Sequence, residues 1–247
     1  MRKYFIITDI HSYYDKMIEA LKEKEFDVNN KEHILISLGD LLDRGDKPLE
    51  CLNFVNSIPD DRKILIIGNH ELLLEESIKR GYFLQHDYSN GTLSTVQLLT
   101  GFEEYSSSSY KQALDKVKDM KEYIKYKSSL VNFYETDKSM FVHGWIPCYN
   151  SDYICIKIEQ PTDEDWKNAT WINGMEAHHN GCILDNKTIY CGHYHTSYGN
   201  ARFHNKGSEF DGDACFDPYI ETGIVALDSC IHFSNKCNCY VLTEDEI

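Results

Sequence analysis

A layered α/β fold with parallel neighbouring strands and a helical insertion is what this sequence predicts. Apolar runs of strand length alternate with amphipathic segments of helix length through the N-terminal third. Each of those runs ends on Asp, Asn or His, at the edge where open α/β sheets bind ligands. A largely helical stretch, about 72–138, then precedes a second set of strands that end the same way.

The elements follow in order. Tyr4 to Thr8 is β-rich and ends at Asp9-Ile10-His11; Tyr14 to Glu25 places Met17, Ile18 and Leu21 on one face, an amphipathic helix. His33 to Leu38 reads as a buried strand that delivers Gly39-Asp40-Leu41-Leu42-Asp43-Arg44-Gly45. Pro48 opens a helix continued by Leu49, Leu52 and Val55, and the strand Lys63–Ile67 ends at Gly68-Asn69-His70-Glu71. Leu72 to Arg80 continues as helix, and Tyr110 to Lys127 is a longer one with Leu114, Val117 and Ile124 inward. Between them lie the turn Asn90-Gly91-Thr92 and the serine run Ser106–Ser109, expected to be a solvated loop. Strands return at Ser139–Val142, ending on His143-Gly144, and at Lys187–Cys191, ending on Gly192-His193-Tyr194-His195. Two short strands near Gly223–Leu227 and Asn238–Leu242 close the sheet.

The 247 residues, 42% hydrophobic, suffice for one large domain over 1–247 with no linker to divide it. A formal charge of −15 argues against a nucleic-acid partner, since no basic stripe offsets it. No apolar run is long enough to span a membrane, and Met1–Ile7 is too short for the apolar region of a signal peptide. The nine cysteines include no Cys-x-x-Cys pair, and Cys237-Asn238-Cys239 lacks a second half for a zinc site. Reduced thiols in a cytoplasmic protein are the expectation.

The Gly39–Gly45 heptad carries chemistry by composition. Its glycines let the backbone approach a ligand closely, and acidic groups beside a fixed cation suit a site holding a metal and a phosphate together. A strand-to-helix turn with a surface ion pair would use the same residue types. Five strands in succession, each ending on Asp, Asn or His, are hard to explain that way.

The ordered set Asp9-x-His11, Gly39-Asp40-x-x-Asp43-Arg44-Gly45, Gly68-Asn69-His70-Glu71, His143-Gly144 and Gly192-His193-x-His195 resembles the calcineurin-like metallophosphoesterases. Within them it is most similar to the phosphoprotein phosphatase branch, which includes bacterial Ser/Thr phosphatases and symmetrical diadenosine tetraphosphate hydrolases. Ala226-Leu227-Asp228-Ser229 looks like the family's closing segment. The resemblance implies a four-layer α/β/β/α sandwich with two metal ions at one end. One ion would be held by Asp9, His11, Asp40 and His195, the other by Asp40, Asn69, His143 and His193, with Asp40 bridging. Such a donor set, without thiolates, suits Mn²⁺, Fe or Zn²⁺. The ions would acidify water for in-line attack on phosphorus.

The same resemblance assigns Arg44 to clamp phosphate oxygens, His70 to protonate the leaving alkoxide, and Asp43 to orient His70. Asp43 and Arg44 could instead pair with each other. One departure stands out: where the family places a second phosphate-binding arginine after a tryptophan, Trp171-Ile172-Asn173 puts Asn173. Arg202 or His178-His179 are candidates to replace it, against a plain role on a wet loop. The leading expectation is a phosphomonoesterase acting on phosphorylated proteins or small esters. Hydrolysis of dinucleoside polyphosphates is the alternative, with Tyr82, Phe83, Tyr88 and Tyr105 as a base pocket or as ordinary core. A non-catalytic metal-dependent binding protein is the third.

Overall fold

The computed structural model describes residues 1–103, 106–150 and 154–247. Its first part alternates strand and helix: β1 (Lys3–Ile7), α1 (Tyr14–Glu23), β2 (His33–Ser37), α2 (Pro48–Ser57), β3 (Lys63–Ile66) and α3 (Asn69–Arg80). Helices α4 (Gln85–Ser89), α5 (Thr92–Thr100), α6 (Ser107–Lys118) and α7 (Lys121–Ser128) follow. Then come β4 (Leu130–Val131), β5 (Tyr134–Glu135), β6 (Ser139–Phe141) and the hairpin β7 (Cys148–Asn150) with β8 (Cys155–Lys157). Helices α8 (Asp163–Ala169) and α9 (Gly174–His179), strand β9 (Thr188–Cys191) and α10 (Thr196–Arg202) lead to β10 (Tyr219–Glu221) and β11 (Ile224–Ala226). The chain closes with α11 (Ile231–Ser234) and β12 (Tyr240–Thr243).

Two five-stranded sheets form, ordered β12-β1-β2-β3-β4 and β10-β11-β9-β6-β5. In the first, β1 to β4 run parallel and β12 antiparallel; in the second, β6, β9 and β11 run parallel with antiparallel strands at both edges. Strand alternation explains why they stack. Tyr4, Ile6, Ile34, Ile36 and Ile66 face Phe141, Tyr190 and Val225 in a core between the sheets. Their neighbours Phe5, Ile7, Leu35 and Leu65 point the other way, into a core with α1, α2, α5, α6 and α7. Met140, Ile189 and Ile224 do the same on the far side, under α9 and Trp145. Helix, sheet, sheet and helix are therefore the layers, the four-layer α/β/β/α sandwich expected.

The helical stretch departs from the sequence reading in three places. Ser106 caps α6, accepting a hydrogen bond from the Ser109 N–H at 3.2 Å, so the serine run starts a helix rather than forming a loop. The long helix expected over Tyr110–Lys127 is two, α6 and α7, separated by Asp119-Met120. Ile124, expected inward, is 51% exposed, and Tyr123 and Tyr126 take the buried face instead. The stretch packs behind the first sheet, through Leu93, Val96, Leu114 and Val117. It reaches the strand ends at Thr92, whose Oγ1 donates to Asp43 Oδ2 at 2.8 Å, and at Tyr126, whose Oη donates to Glu71 Oε1 at 2.9 Å.

Candidate metal centre

The parallel strands β1, β2, β3, β6 and β9 all release the chain at one edge of the sandwich, and there the backbone turns sharply. Asp9 (φ 50), His11 (φ 48), Asp40 (φ 52), Asp43 (φ 74), Arg44 (φ 63) and His193 (φ 64) all adopt left-handed conformations. Such backbone strain in non-glycine residues gathers where function over-determines geometry. Gly39 makes the closest approach feasible, because a Cβ on it would sit 2.7 Å from the Gly68 Cα and 2.8 Å from His143 Nδ1.

Asp40 is the hub. Its Oδ1 accepts the His70 backbone N–H at 2.9 Å, while Oδ2 lies 3.4 Å from His143 Nε2, 3.8 Å from His11 Nε2 and 3.9 Å from His70 Nε2. Two groups of donor atoms result, His11–Asp40–His70 and Asp40–His143–His193, each within 4.8 Å and sharing the one carboxylate. Asn69 joins the second through Oδ1, 2.8 Å from His143 Nε2. The rings are oriented from behind: His11 Nδ1 donates to the Leu42 carbonyl at 3.0 Å and His143 Nδ1 to the Leu38 carbonyl at 2.7 Å. Both therefore present Nε2 to Asp40, the arrangement that fixes a metal-binding imidazole.

The electrostatics favour positive charge at this site. Burial raises the Asp9 carboxyl, with the nearby Asp40 charge adding to the effect. For Asp40 burial acts the same way, but His143 and His70 outweigh it and hold the carboxyl well below its usual range. His143 is pushed up to about 10 against its burial by Asp40, whereas burial and then His143 drive His193 down to about 3. A cation placed there would favour the ionised form of both carboxylates. Nitrogen and oxygen donors converging this closely fit Mn²⁺, Fe or Zn²⁺.

Beside this hub stands a dyad. His70 Nδ1 lies 2.8 Å from Asp43 Oδ2, and His70 Nε2 is 3.3 Å from Arg44 Nη2. Burial would lower the His70 imidazole, but the charge of Asp40 and the hydrogen bond to Asp43 raise it above its ordinary value. Asp43 is fully buried and Arg44 exposed, so the pair places a proton carrier and a cation side by side at the mouth.

A family model described as calcineurin-like phosphoesterase matches residues 2–216. The chain belongs to that family. Over 74 residues, 30% of the chain and 25% of the relative, it is 40% identical to the symmetrical bis(5'-nucleosyl)-tetraphosphatase of Buchnera aphidicola subsp. Baizongia pistaciae. The corresponding enzyme of Pasteurella multocida is 39% identical over 70 residues, 28% of the chain and 24% of the relative. The chain thus matches about a quarter of the length of these curated relatives. Among solved structures, the cold-active protein-tyrosine phosphatase of a psychrophilic Shewanella sp. superposes with a TM-score of 0.58 at 17% identity, covering 99% of this chain and 76% of that one. At that identity the likeness is one of fold.

Not every residue expected at the calcineurin-like site converges equally. Asp9 is adjacent, its Oδ2 accepting from Thr8 Oγ1 at 2.6 Å and from the His193 N–H at 2.9 Å, but it belongs to neither three-residue group. His195 belongs to neither as well; its Nε2 lies 2.7 Å from Glu209 Oε1. Asn173 caps α9, its Oδ1 accepting from the Met175 and Glu176 N–H groups at 3.2 and 3.3 Å. The Arg202 guanidinium stacks over Tyr198 at 5.5 Å, and among the described residues no hydrogen bond or ion pair joins it to the Asp40 hub. His178 Nε2 faces the Thr222 carbonyl at 3.0 Å and His179 stacks on Phe203 at 4.3 Å.

Of the aromatics considered for a base pocket, Phe83 is core, packed edge-on to Tyr110 at 5.2 Å. Tyr82 and Tyr88 are exposed, and Tyr105 lies outside the described residues. A different aromatic sits by the hub: Trp171, 51% exposed, meets His193 edge to face at 5.8 Å. It lines a cleft of about 280 Å³ with Asn69, Lys79 and Lys167.

Sequence reasoning gave no role to Glu71 or Thr92. Glu71 is buried and accepts four hydrogen bonds, from the N–H groups of Asp40, Leu41 and Gly68 and from Tyr126 Oη, at 2.9 to 3.0 Å. It ties the Asp40 turn to the Gly68 turn. Its position beside His70 was the available signal; Thr92 offered none beyond following a turn glycine.

Proposed function

We propose that the protein is a two-metal phosphoesterase that hydrolyses phosphate monoesters in the manner of Ser/Thr protein phosphatases. The observation that supports it is the pair of donor groups sharing Asp40, flanked by the His70–Asp43 dyad and Arg44. Asp9, His11, Asp40 and His195 are assigned to one ion, and Asp40, Asn69, His143 and His193 to the other, with Mn²⁺ the ion expected. Bound ions would supply charge for a phosphate dianion and acidify the attacking water.

The chain's own groups do the rest. Arg44, at the mouth, offers a planar fork of donors to two phosphate oxygens. His70 delivers a proton from Nε2 to the departing alkoxide, since an alkoxide is a poor leaving group near neutral pH. Asp43 keeps the other proton on Nδ1, and Thr92 anchors the Asp43 oxygen that does so.

Symmetrical dinucleoside tetraphosphates are the second reading. The curated relatives bear that activity in their names, and Trp171 gives a nucleobase an exposed ring to stack on beside His193. The test is turnover of a phosphothreonine peptide against diadenosine tetraphosphate by the Mn²⁺-loaded protein, with Trp171→Ala alongside. A higher kcat/KM on the peptide, unmoved by Trp171→Ala, supports the first reading. Preference for the dinucleotide, with KM raised in Trp171→Ala, transfers the assignment to the second. Turnover of neither substrate by metal-loaded protein contradicts a phosphoprotein and a dinucleotide substrate alike and leaves a small phosphate ester or a metal-dependent binding protein.

A further inference from the structure

A second set of metal-competent side chains meets far along the chain from Asp40. Cys148 on β7, Cys155 on β8 and Cys182 in the segment after α9 bring their sulfurs within 4.8 Å of one another, with Cys155 Sγ 2.7 Å from Cys148 Sγ. We propose that these three thiols form a separate site for a thiophilic cation of the Zn²⁺ class, which pins the β7–β8 hairpin to the end of α9.

The hairpin stands apart from the two large sheets. It forms a two-stranded sheet of its own, and Tyr149, Ile154 and Ile156 are 71%, 59% and 60% exposed. Cys155 and Cys148 instead turn inward against the core under Trp145. The receiving side is fixed: the Cys182 N–H donates to the Ala177 carbonyl at 3.0 Å, and its carbonyl accepts Trp145 Nε1 at 3.1 Å. The Cys155 N–H donates to the Asn180 carbonyl at 3.3 Å, which holds the two segments in register. Three sulfurs from three separate segments thus converge on backbone already held in place.

The chemistry suits thiolates. A cation stands beside the sulfurs, since Lys157 lies opposite Cys148 in the strand register. Zn²⁺ sits about 2.3 Å from each thiolate and spreads three of them to roughly 3.8 Å apart, within reach of the present positions. Each ligating thiol releases its proton to solvent. Cys148 is only half-buried, which leaves an outward face for a fourth ligand from solvent. Sulfur-only donors discriminate against Mg²⁺ and Mn²⁺, so the site and the Asp40 hub select different ions.

Cobalt(II) separates the two sites, because only thiolates give an intense near-ultraviolet charge-transfer band. The full chain, reduced and stripped of metal, is titrated with Co²⁺. The band is expected in the wild type and in His143→Asn, is lost in Cys182→Ser and in Cys148→Ser, and is displaced by Zn²⁺. A readout that needs no variant runs in parallel: Zn²⁺ should slow alkylation of Cys148, Cys155 and Cys182 by at least about tenfold while leaving Cys215 unchanged. Absence of the band in reduced wild type overturns the proposal, as does a band that survives in Cys182→Ser. Alkylation indifferent to Zn²⁺, with a Cys148–Cys155 disulfide in the unreduced protein, also overturns it.

Discussion

At the scale of single residues, Asp40 shows how the site resolves a conflict. A carboxylate 2% exposed would be driven to its neutral form by burial, yet three imidazoles and a backbone N–H surround it. His70 shares the first donor group with His11 and Asp40, but its Nδ1 is held by Asp43, and the proposed role is proton delivery rather than metal binding. His70→Asn should lower kcat by about 10²–10⁴-fold, the usual worth of a positioned acid, while metal affinity stays within a few-fold. Single-turnover kinetics with parallel metal titration would check it, and an unchanged kcat would remove His70 from the chemistry. Glu71 acts differently, because its carboxylate accepts three backbone N–H groups and a phenol. Glu71→Gln places an amide donor against those donors and should cost at least about 2 kcal/mol in urea unfolding. The metal-competent residues were legible in the sequence because strand ends display them in motif order. Glu71 and Thr92 were not, because a side chain that serves backbone amides or another carboxylate leaves no periodic or compositional mark.

At the scale of elements, the strands were legible and the inserted helices less so. Strands buried on both faces read as unbroken apolar runs, and β1, β2 and β3 have little else to be. The serine run was ambiguous, since serine favours caps and loops for the same reason, its hydroxyl competing for backbone N–H groups. Ile124 misled because the period restarts at the break between α6 and α7, which turns Tyr123 and Tyr126 inward. The turn elements carry a sharper prediction. Gly39→Ala combines a φ of 100° with contacts of 2.7 and 2.8 Å to Gly68 and His143, so it should displace the Asp40 turn and abolish metal binding. Gly101→Ala, at φ 69 with nothing within 4 Å, should cost only about 1 kcal/mol of left-handed strain and leave metal binding intact. Calorimetric metal titration of both variants separates local geometry from general stability.

At the scale of the whole molecule, the sandwich holds the site by stacking two sheets whose strand ends meet along one edge. The layer arrangement was legible only through the family resemblance, because alternation along a strand does not say which face meets the other sheet. The same edge concentrates buried acids. Burial raises Asp9, Glu71 and Asp228 above their ordinary values, so cations bound there should stabilise the fold as well as serve the reaction. Ions at a hundred times their Kd contribute about 2.7 kcal/mol each by mass action, and chelation should lower Tm by several degrees, restored by Mn²⁺. A melting curve indifferent to chelator would show that the fold is complete without them.

The central claim is that Asp40 bridges two ions whose joint presence is needed for phosphoester hydrolysis. The most direct measurement is metal bound per chain, followed alongside turnover as Mn²⁺ is added to stripped protein, for the wild type and Asp40→Asn. The account predicts two equivalents in the wild type, with activity rising as the second binds, and loss of both binding and turnover in Asp40→Asn. Full turnover with a single equivalent, or an Asp40→Asn protein that still binds two ions and remains active, would contradict it.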